Sequence, residues 1–146
     1  MTDILEIDVL LSPAESGDIQ LRDRQVVVID VLRATTVIAH ALANGAEQII
    51  PAGSVEEALE FKAQLDRDVA LLCGEREGRR IPGFDLGNSP LEYDRATVTG
   101  RSLVLASTNG TVVLSRCGVA VRTLTASFCN VSAVARAMRE TGGPWL

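Results

Sequence analysis

The chain reads as an α/β domain built on a largely parallel sheet with helices on both faces. Three observations predict this class. Strand-like apolar runs alternate with helical periods along the whole chain. One run, Val26-Val27-Val28-Ile29, is continuously apolar, the pattern of a strand covered on both faces. The polar residues able to do chemistry gather where a strand gives way to a helix, the place where parallel sheets hold their ligands.

Taken in order, residues 4–10 alternate enough to predict a first strand, ended by Ser12-Pro13. A second strand spans Gln25 to Leu32. Thr36 to Asn44 predicts a helix, with Val37, Ile38, Ala41 and Leu42 on one stripe and Asn44-Gly45 as its stop. Gln48 to Ile50 predicts a short strand closed by Pro51. Ser54-Val55-Glu56-Glu57 is a capping box, opening a helix through about Leu65. Val69 to Cys73 is a strand, and residues 74–93 carry Gly, Arg, Asn and Pro with no regular period. Leu103–Ala106 predicts a strand, Thr111–Arg116 a short helix, Val119–Leu124 a strand and Asn130–Glu140 a helix stopped by Gly142-Gly143-Pro144. The alternation then calls for one more strand, so residues 1–146 are expected to be a single domain that is the N-terminal portion of a longer, C-terminally truncated one.

Composition narrows the functional class. At 146 residues and 47% hydrophobic content the chain can build a core without metal or disulfide staples. No apolar run reaches the ~18–20 residues of a membrane helix. The first residues lack a basic stretch, so a cytoplasmic location and no membrane partner are expected. The net charge of −5 and only five aromatic residues argue against nucleic acid as a partner. The charge is unevenly spread: residues 1–73 are net −8 and residues 74–146 net +3. Thirteen of the fourteen basic residues are Arg, which grips small phosphates, sulfonates and carboxylates through two parallel hydrogen bonds. Cys73, Cys117 and Cys129 have no zinc-type spacing and read as unpaired thiols.

Four loops carry the chemistry. Asp30 ends the apolar second strand, where a carboxylate needs a cation or hydrogen bonds; Arg33, Thr35 and Thr36 follow at a helix start, a setting that suits an oxyanion. Structurally, the same residues also read as an Asp30–Arg33 pair with capping threonines. Glu75, one strand-end away, could join Asp30 in holding a hard divalent cation such as magnesium. The stretch Gly87-Asn88-Ser89-Pro90 belongs to a loop long enough to be functional, and equally reads as a turn into a helix. Thr108-Asn109-Gly110-Thr111 offers hydroxyls and amides to an anion without being a P-loop. His40 falls inside a helix, which excludes a His-based triad.

These blocks, together with Ala43-Asn44-Gly45-Ala46, Gly74-Glu75-Arg76 and Gly83-Phe84-Asp85-Leu86, resemble the 2-phosphosulfolactate phosphatase family from about Val26 to Ala135. The resemblance implies a magnesium-dependent phosphatase that converts 2-phosphosulfolactate to sulfolactate and phosphate on the route to coenzyme M. Family members are longer, with a C-terminal part that includes a further acidic loop. On this reading Asp30 and Glu75 are the metal ligands, and Asp30 and Arg33 are the catalytic residues. Thr35, Thr36, Asn88, Ser89, Thr108, Asn109, Gly110 and Thr111 hold a small anionic phosphorylated substrate. Whether water or Asp30 is the nucleophile stays open, as does a homodimer. The alternatives are a phosphatase for another small phosphorylated acid and a non-catalytic anion-binding or regulatory module.

Overall fold

The computed structural model describes residues 5–12, 21–66 and 68–146. Six strands and five helices follow one another as β1 (Gln25–Ile29), α1 (Ala34–Ala43), β2 (Gln48–Ala52), α2 (Val55–Ala63), β3 (Ala70–Arg76), β4 (Arg79–Arg80), α3 (Arg95–Val98), β5 (Ser102–Ala106), α4 (Gly110–Arg116), β6 (Arg122–Ala126) and α5 (Val131–Thr141). The α/β class is as expected, but the sheet is in two pieces. One holds β1 beside β6 in parallel, and the other runs β2-β5-β3-β4, parallel except for the short β4.

Period two in the central strand β5 explains how the layers stack. All five of its residues are buried. Leu103 and Leu105 join Val37, Ile38, Ala41 and Leu114 of α1 and α4, with Val26 and Val28 of β1 behind them. Val104 and Ala106 face the opposite way, onto Ala58 of α2, Ile81 and Phe84. Helices α1 and α4 therefore lie between the two sheets, α2 covers the other face of the larger one, and α5 packs on β6. The side chains of α1 and α4 pack with those of β1 and β5 in one core.

Several local expectations are corrected. Of the stretch expected as a first strand, Ile4 and Pro13 lie outside the described residues. Ile7 alone of the rest makes a strand-type bridge, to Trp145. A strand needs continuous lateral pairing, and this segment meets only the short run at Trp145. Pro51 lies inside β2 instead of closing it; β2 is the outer strand of its sheet, where a missing N–H costs no ladder bond. Residues 74–93 are more regular than their composition implies. β3 runs on to Arg76 and turns through Glu77-Gly78, whose φ values of 53° and 77° suit a two-residue hairpin. Pro90–Glu92 then forms a 3-10 turn. The capping box at α2 is also rearranged: Ser54 accepts from the Glu57 amide, while Glu57 reaches one residue further back, to the Gly53 amide.

Gly74 lets β3 and β5 close tightly just before Glu75. Its φ is +142°, and a Cβ there would sit 1.8 Å from the carbonyl oxygen of Ala106. Gly74→Ala is therefore expected to lower stability by about 3 kcal/mol or more, since backbone and not a flexible side chain must give way. A urea unfolding midpoint close to that of the parent chain would contradict this.

Candidate active site

The loops leaving β1, β3 and β5 meet at one end of the structure, and with them the two carboxylates. Asp30 is half-buried and follows directly on β1. The amide of Ala34 donates to its carboxylate. Gly110, the first residue of α4, packs so closely that a Cβ would lie 2.5 Å from Asp30 Oδ2. No larger residue fits there without displacing the carboxylate.

Glu75 is only 8% exposed, yet it is fully engaged. Oε1 accepts from the Thr108 amide at 2.7 Å, and Oε2 accepts from the Gly78 amide at 2.7 Å. One carboxylate thus ties the β3 hairpin to the loop after β5. Burial pushes the Glu75 carboxyl up, but the amides of Thr108 and Gly78 and the Arg33 charge outweigh it, so its pKa is lowered. Asp30 goes the other way: burial raises its pKa and the neighbouring Glu75 charge adds to that, against the Ala34 amide and Arg33.

Arg33 acts electrostatically on both carboxylates. Among the described residues, however, the side-chain ion pairs are Arg24–Asp8 and Lys62–Asp85, and none involves Arg33. The simple Asp30–Arg33 pair is therefore not formed. Arg33 is half-buried at the start of α1, and its guanidinium has no ion-pair partner among the described residues.

The threonines divide by burial. Thr35 is fully buried; its hydroxyl oxygen lies 2.6 Å from the Ala126 carbonyl and 2.8 Å from the Asp30 carbonyl, sharing its one proton between them, and accepts from the Asp30 amide at 3.0 Å. It stitches the end of β1 to the end of β6. Thr36 donates to the Val31 carbonyl at 2.7 Å. Thr111 is fully buried and bonded to Ser107 in both directions. As placed, these hydroxyls are engaged with backbone and side-chain groups of their own loops. Thr108 and Asn109 are exposed at the mouth of the site, and Ser89 is half-buried. Asn88 is 6% exposed and its Oδ1 has no hydrogen-bond partner among the described residues.

Two residues not singled out from the sequence belong to this end of the sheet. Arg76 donates to the Ser107 carbonyl at 3.3 Å, bracing the loop after β5. Asn130 accepts from the Ser127 amide at 2.8 Å and donates to the Thr125 carbonyl at 2.9 Å, forming the turn after β6. The Ser-x-x-Asn spacing ahead of α5 was the available signal. Of the three thiols, Cys73 and Cys117 are buried and Cys129 is exposed; burial pushes Cys73 up to about 12.

No group of three or more His, Cys, Asp or Glu that could hold a metal occurs among the described residues. The carboxylates of Asp30 and Glu75 are hard donors, and magnesium is commonly held by one or two carboxylates together with water and substrate phosphate. The donor set fits such an ion. A further consequence concerns stability. Because folding raises the Asp30 pKa, the folded chain binds this proton more tightly than the unfolded one, and the associated stability is lost as pH rises through the raised value. Asp30→Asn should therefore melt at a higher temperature than the parent chain at pH 7, with the gap closing below the ordinary carboxylate range. An equal or lower melting temperature at pH 7 would show that the Asp30 charge is not a cost to the fold.

With the geometry described, comparison with known proteins is informative. The family model for 2-phosphosulpholactate phosphatase matches residues 10–143. A probable 2-phosphosulfolactate phosphatase of Caldanaerobacter subterraneus is 50% identical over 120 residues, covering 82% of this chain and 50% of that protein. The one from Carboxydothermus hydrogenoformans is 51% identical over 132 residues, covering 90% and 52%. A third, from Clostridium botulinum, is 40% identical over 136 residues, covering 93% and 57%. The chain thus spans about half the length of these relatives. On a match that takes in nearly the whole chain, it belongs to the 2-phosphosulfolactate phosphatase family.

Proposed function

We propose that this chain supplies the phosphate-binding and metal-binding half of a magnesium-dependent phosphomonoesterase acting on 2-phosphosulfolactate. The observation that carries the reading is the convergence of Asp30, Glu75 and a guanidinium, Arg33, that is close to both yet bonded to neither. Asp30 and Glu75 would hold the cation. Magnesium bound there supplies charge neutralisation for the phosphoryl oxygens. Arg33 grips those oxygens through its planar pair of donors. Thr108, Asn109 and Ser89, accessible on the two neighbouring loops, orient the rest of the anion. The product, sulfolactate, fits a step toward coenzyme M, and the unpaired thiols suit the cytoplasm.

The coverage of about half of each relative favours a second reading in which this chain binds the anion without turning it over. Phosphate release from 2-phosphosulfolactate, with and without magnesium, separates the two. Release that requires magnesium and is abolished by chelation supports the enzyme, whereas saturable binding without release supports the binder. Calorimetric titration should show magnesium binding that Asp30→Asn weakens greatly; unchanged affinity would remove Asp30 from the cation site.

Arg33→Lys tests the phosphate grip. Since Arg33 has no ion pair among the described residues, its replacement should leave the melting temperature within a few degrees. A point charge cannot reproduce the bidentate contact, so kcat/KM should fall roughly a hundredfold, about 2.7 kcal/mol of transition-state binding. Near-normal turnover with a large drop in melting temperature would make Arg33 a structural residue.

A further inference from the structure

β5 ends at Ala106, and Ser107-Thr108-Asn109-Gly110-Thr111 leads from it into the first turn of α4. The two ends of this stretch close on each other. Thr111 Oγ1 accepts from the Ser107 amide at 2.7 Å and has the Ser107 carbonyl at 3.2 Å for its own proton. Ser107 Oγ accepts from the Thr111 amide at 3.0 Å. Thr111 is fully buried and Ser107 is 3% exposed, so each hydroxyl stands in for solvent at the other residue's amide.

The residues inside this closure reach two different sheets. The Thr108 amide donates to Glu75 Oε1 at 2.7 Å, on β3 of the larger sheet. Gly110 packs on Asp30, which follows β1 of the smaller sheet, and a Cβ on it would lie 2.5 Å from Asp30 Oδ2 and 2.6 Å from the Ala34 Cβ. Because β1 and β3 belong to separate sheets, the distance between the two carboxylates is not set by a strand ladder among the described residues. Thr35 ties the Asp30 backbone to β6, within the smaller sheet, and Gly78 ties Glu75 to its own hairpin. The closed turn touches both carboxylates and crosses from one sheet to the other.

We propose that Thr111 and Ser107 are positioning residues that fix the separation of Asp30 and Glu75, and thereby favour a small divalent cation over a larger one. The proposal rests on the reading that these carboxylates hold a cation. It gives Thr111 a different part from the anion contact expected of it in the sequence. Both hydroxyls act through what they hold in place, the Thr108 amide and the Gly110 backbone. Magnesium demands near-ideal octahedral geometry at roughly 2.0–2.1 Å, whereas calcium accepts irregular oxygen shells at about 2.3–2.6 Å. A carboxylate spacing that drifts therefore costs magnesium more than calcium.

The test is calorimetric titration of the chain with magnesium and, separately, with calcium. Thr111→Val keeps the side-chain shape and removes the hydroxyl. The ratio of magnesium to calcium affinity should fall roughly tenfold or more, the usual scale for losing a group that orients a metal ligand. Thr111→Ser keeps the hydroxyl and should restore the parent ratio. A merely structural role would lower both affinities by one factor, through the fraction of chain that is folded. If Thr111→Val does not fold, Ser107→Ala carries the same test from the other end of the closure. An unchanged ratio, a ratio shifted toward magnesium, or a Thr111→Ser variant that is not rescued overturns the proposal. A parent chain that binds neither ion removes the cation reading instead. The positioning role is then decided by the Asp30–Glu75 separation in crystal structures of the parent and the folded variant. A change of about 0.5 Å or more sustains it, and an unchanged separation overturns it.

Discussion

The Glu75 carboxylate is the contact on which the site's geometry depends. Its two oxygens satisfy amides from separate loops, Thr108 after β5 and Gly78 in the β3 hairpin, in a nearly buried setting where an unmatched amide would be costly. Both loops are thereby fixed to one strand. The close approach of Gly74 to Ala106 puts that strand at the right depth. Because the two amides keep Glu75 ionised, its charge is available at neutral pH without any cation. That standing charge, in turn, raises the energy of an ionised Asp30 beside it.

Asp30 is the opposite kind of residue. Nothing local compensates its burial fully, and the residues around it make the problem worse. Gly110 presses against the carboxylate and the Glu75 charge lies near it, while the Ala34 amide at the start of α1 and the Arg33 charge offset only part of the cost. A carboxylate held at a cost to the fold is one that a ligand can repay by binding it. The same packing explains why Thr35 is buried. Its hydroxyl takes up backbone groups at the ends of both β1 and β6, which holds the loop carrying Asp30 against β6.

Elements whose signal is local were legible in the sequence. The stripe of α1, the Ser54 cap and the apolar β5 run all lie within one short window, and each formed where the pattern placed it. Elements that depend on a remote partner were not. Residues 5–10 alternate like a strand but meet only the Trp145 run, far along the chain, so one bridge forms. The convergence of Asp30, Arg33 and Glu75 was legible only in part: strand-end loops were the right place to look, but β1 and β3 lie in separate sheets, and the sequence pattern does not show that their ends meet. The division of the hydroxyls was not. Thr35 binds a carbonyl 91 residues away, and no local pattern distinguishes that from a threonine turned toward a ligand.

Charge ties the site to the proposed reaction. Asp30, Glu75 and Arg33 together carry a net −1 when all are ionised, a field that repels a phosphate dianion. Arg33 alone does not reverse it. On the proposed reading, a divalent cation between the carboxylates turns the local charge to +1 and makes the same residues attractive to the anion. It also removes the penalty on Asp30, so cation and phosphate favour each other's binding without any movement of the backbone. On the same reading the Arg33 guanidinium, without an ion pair among the described residues, would donate to the phosphoryl oxygens. A site assembled from one satisfied carboxylate, one strained carboxylate and one uncommitted cation is poorly suited to holding the fold together, and well suited to a ligand that brings both charges with it.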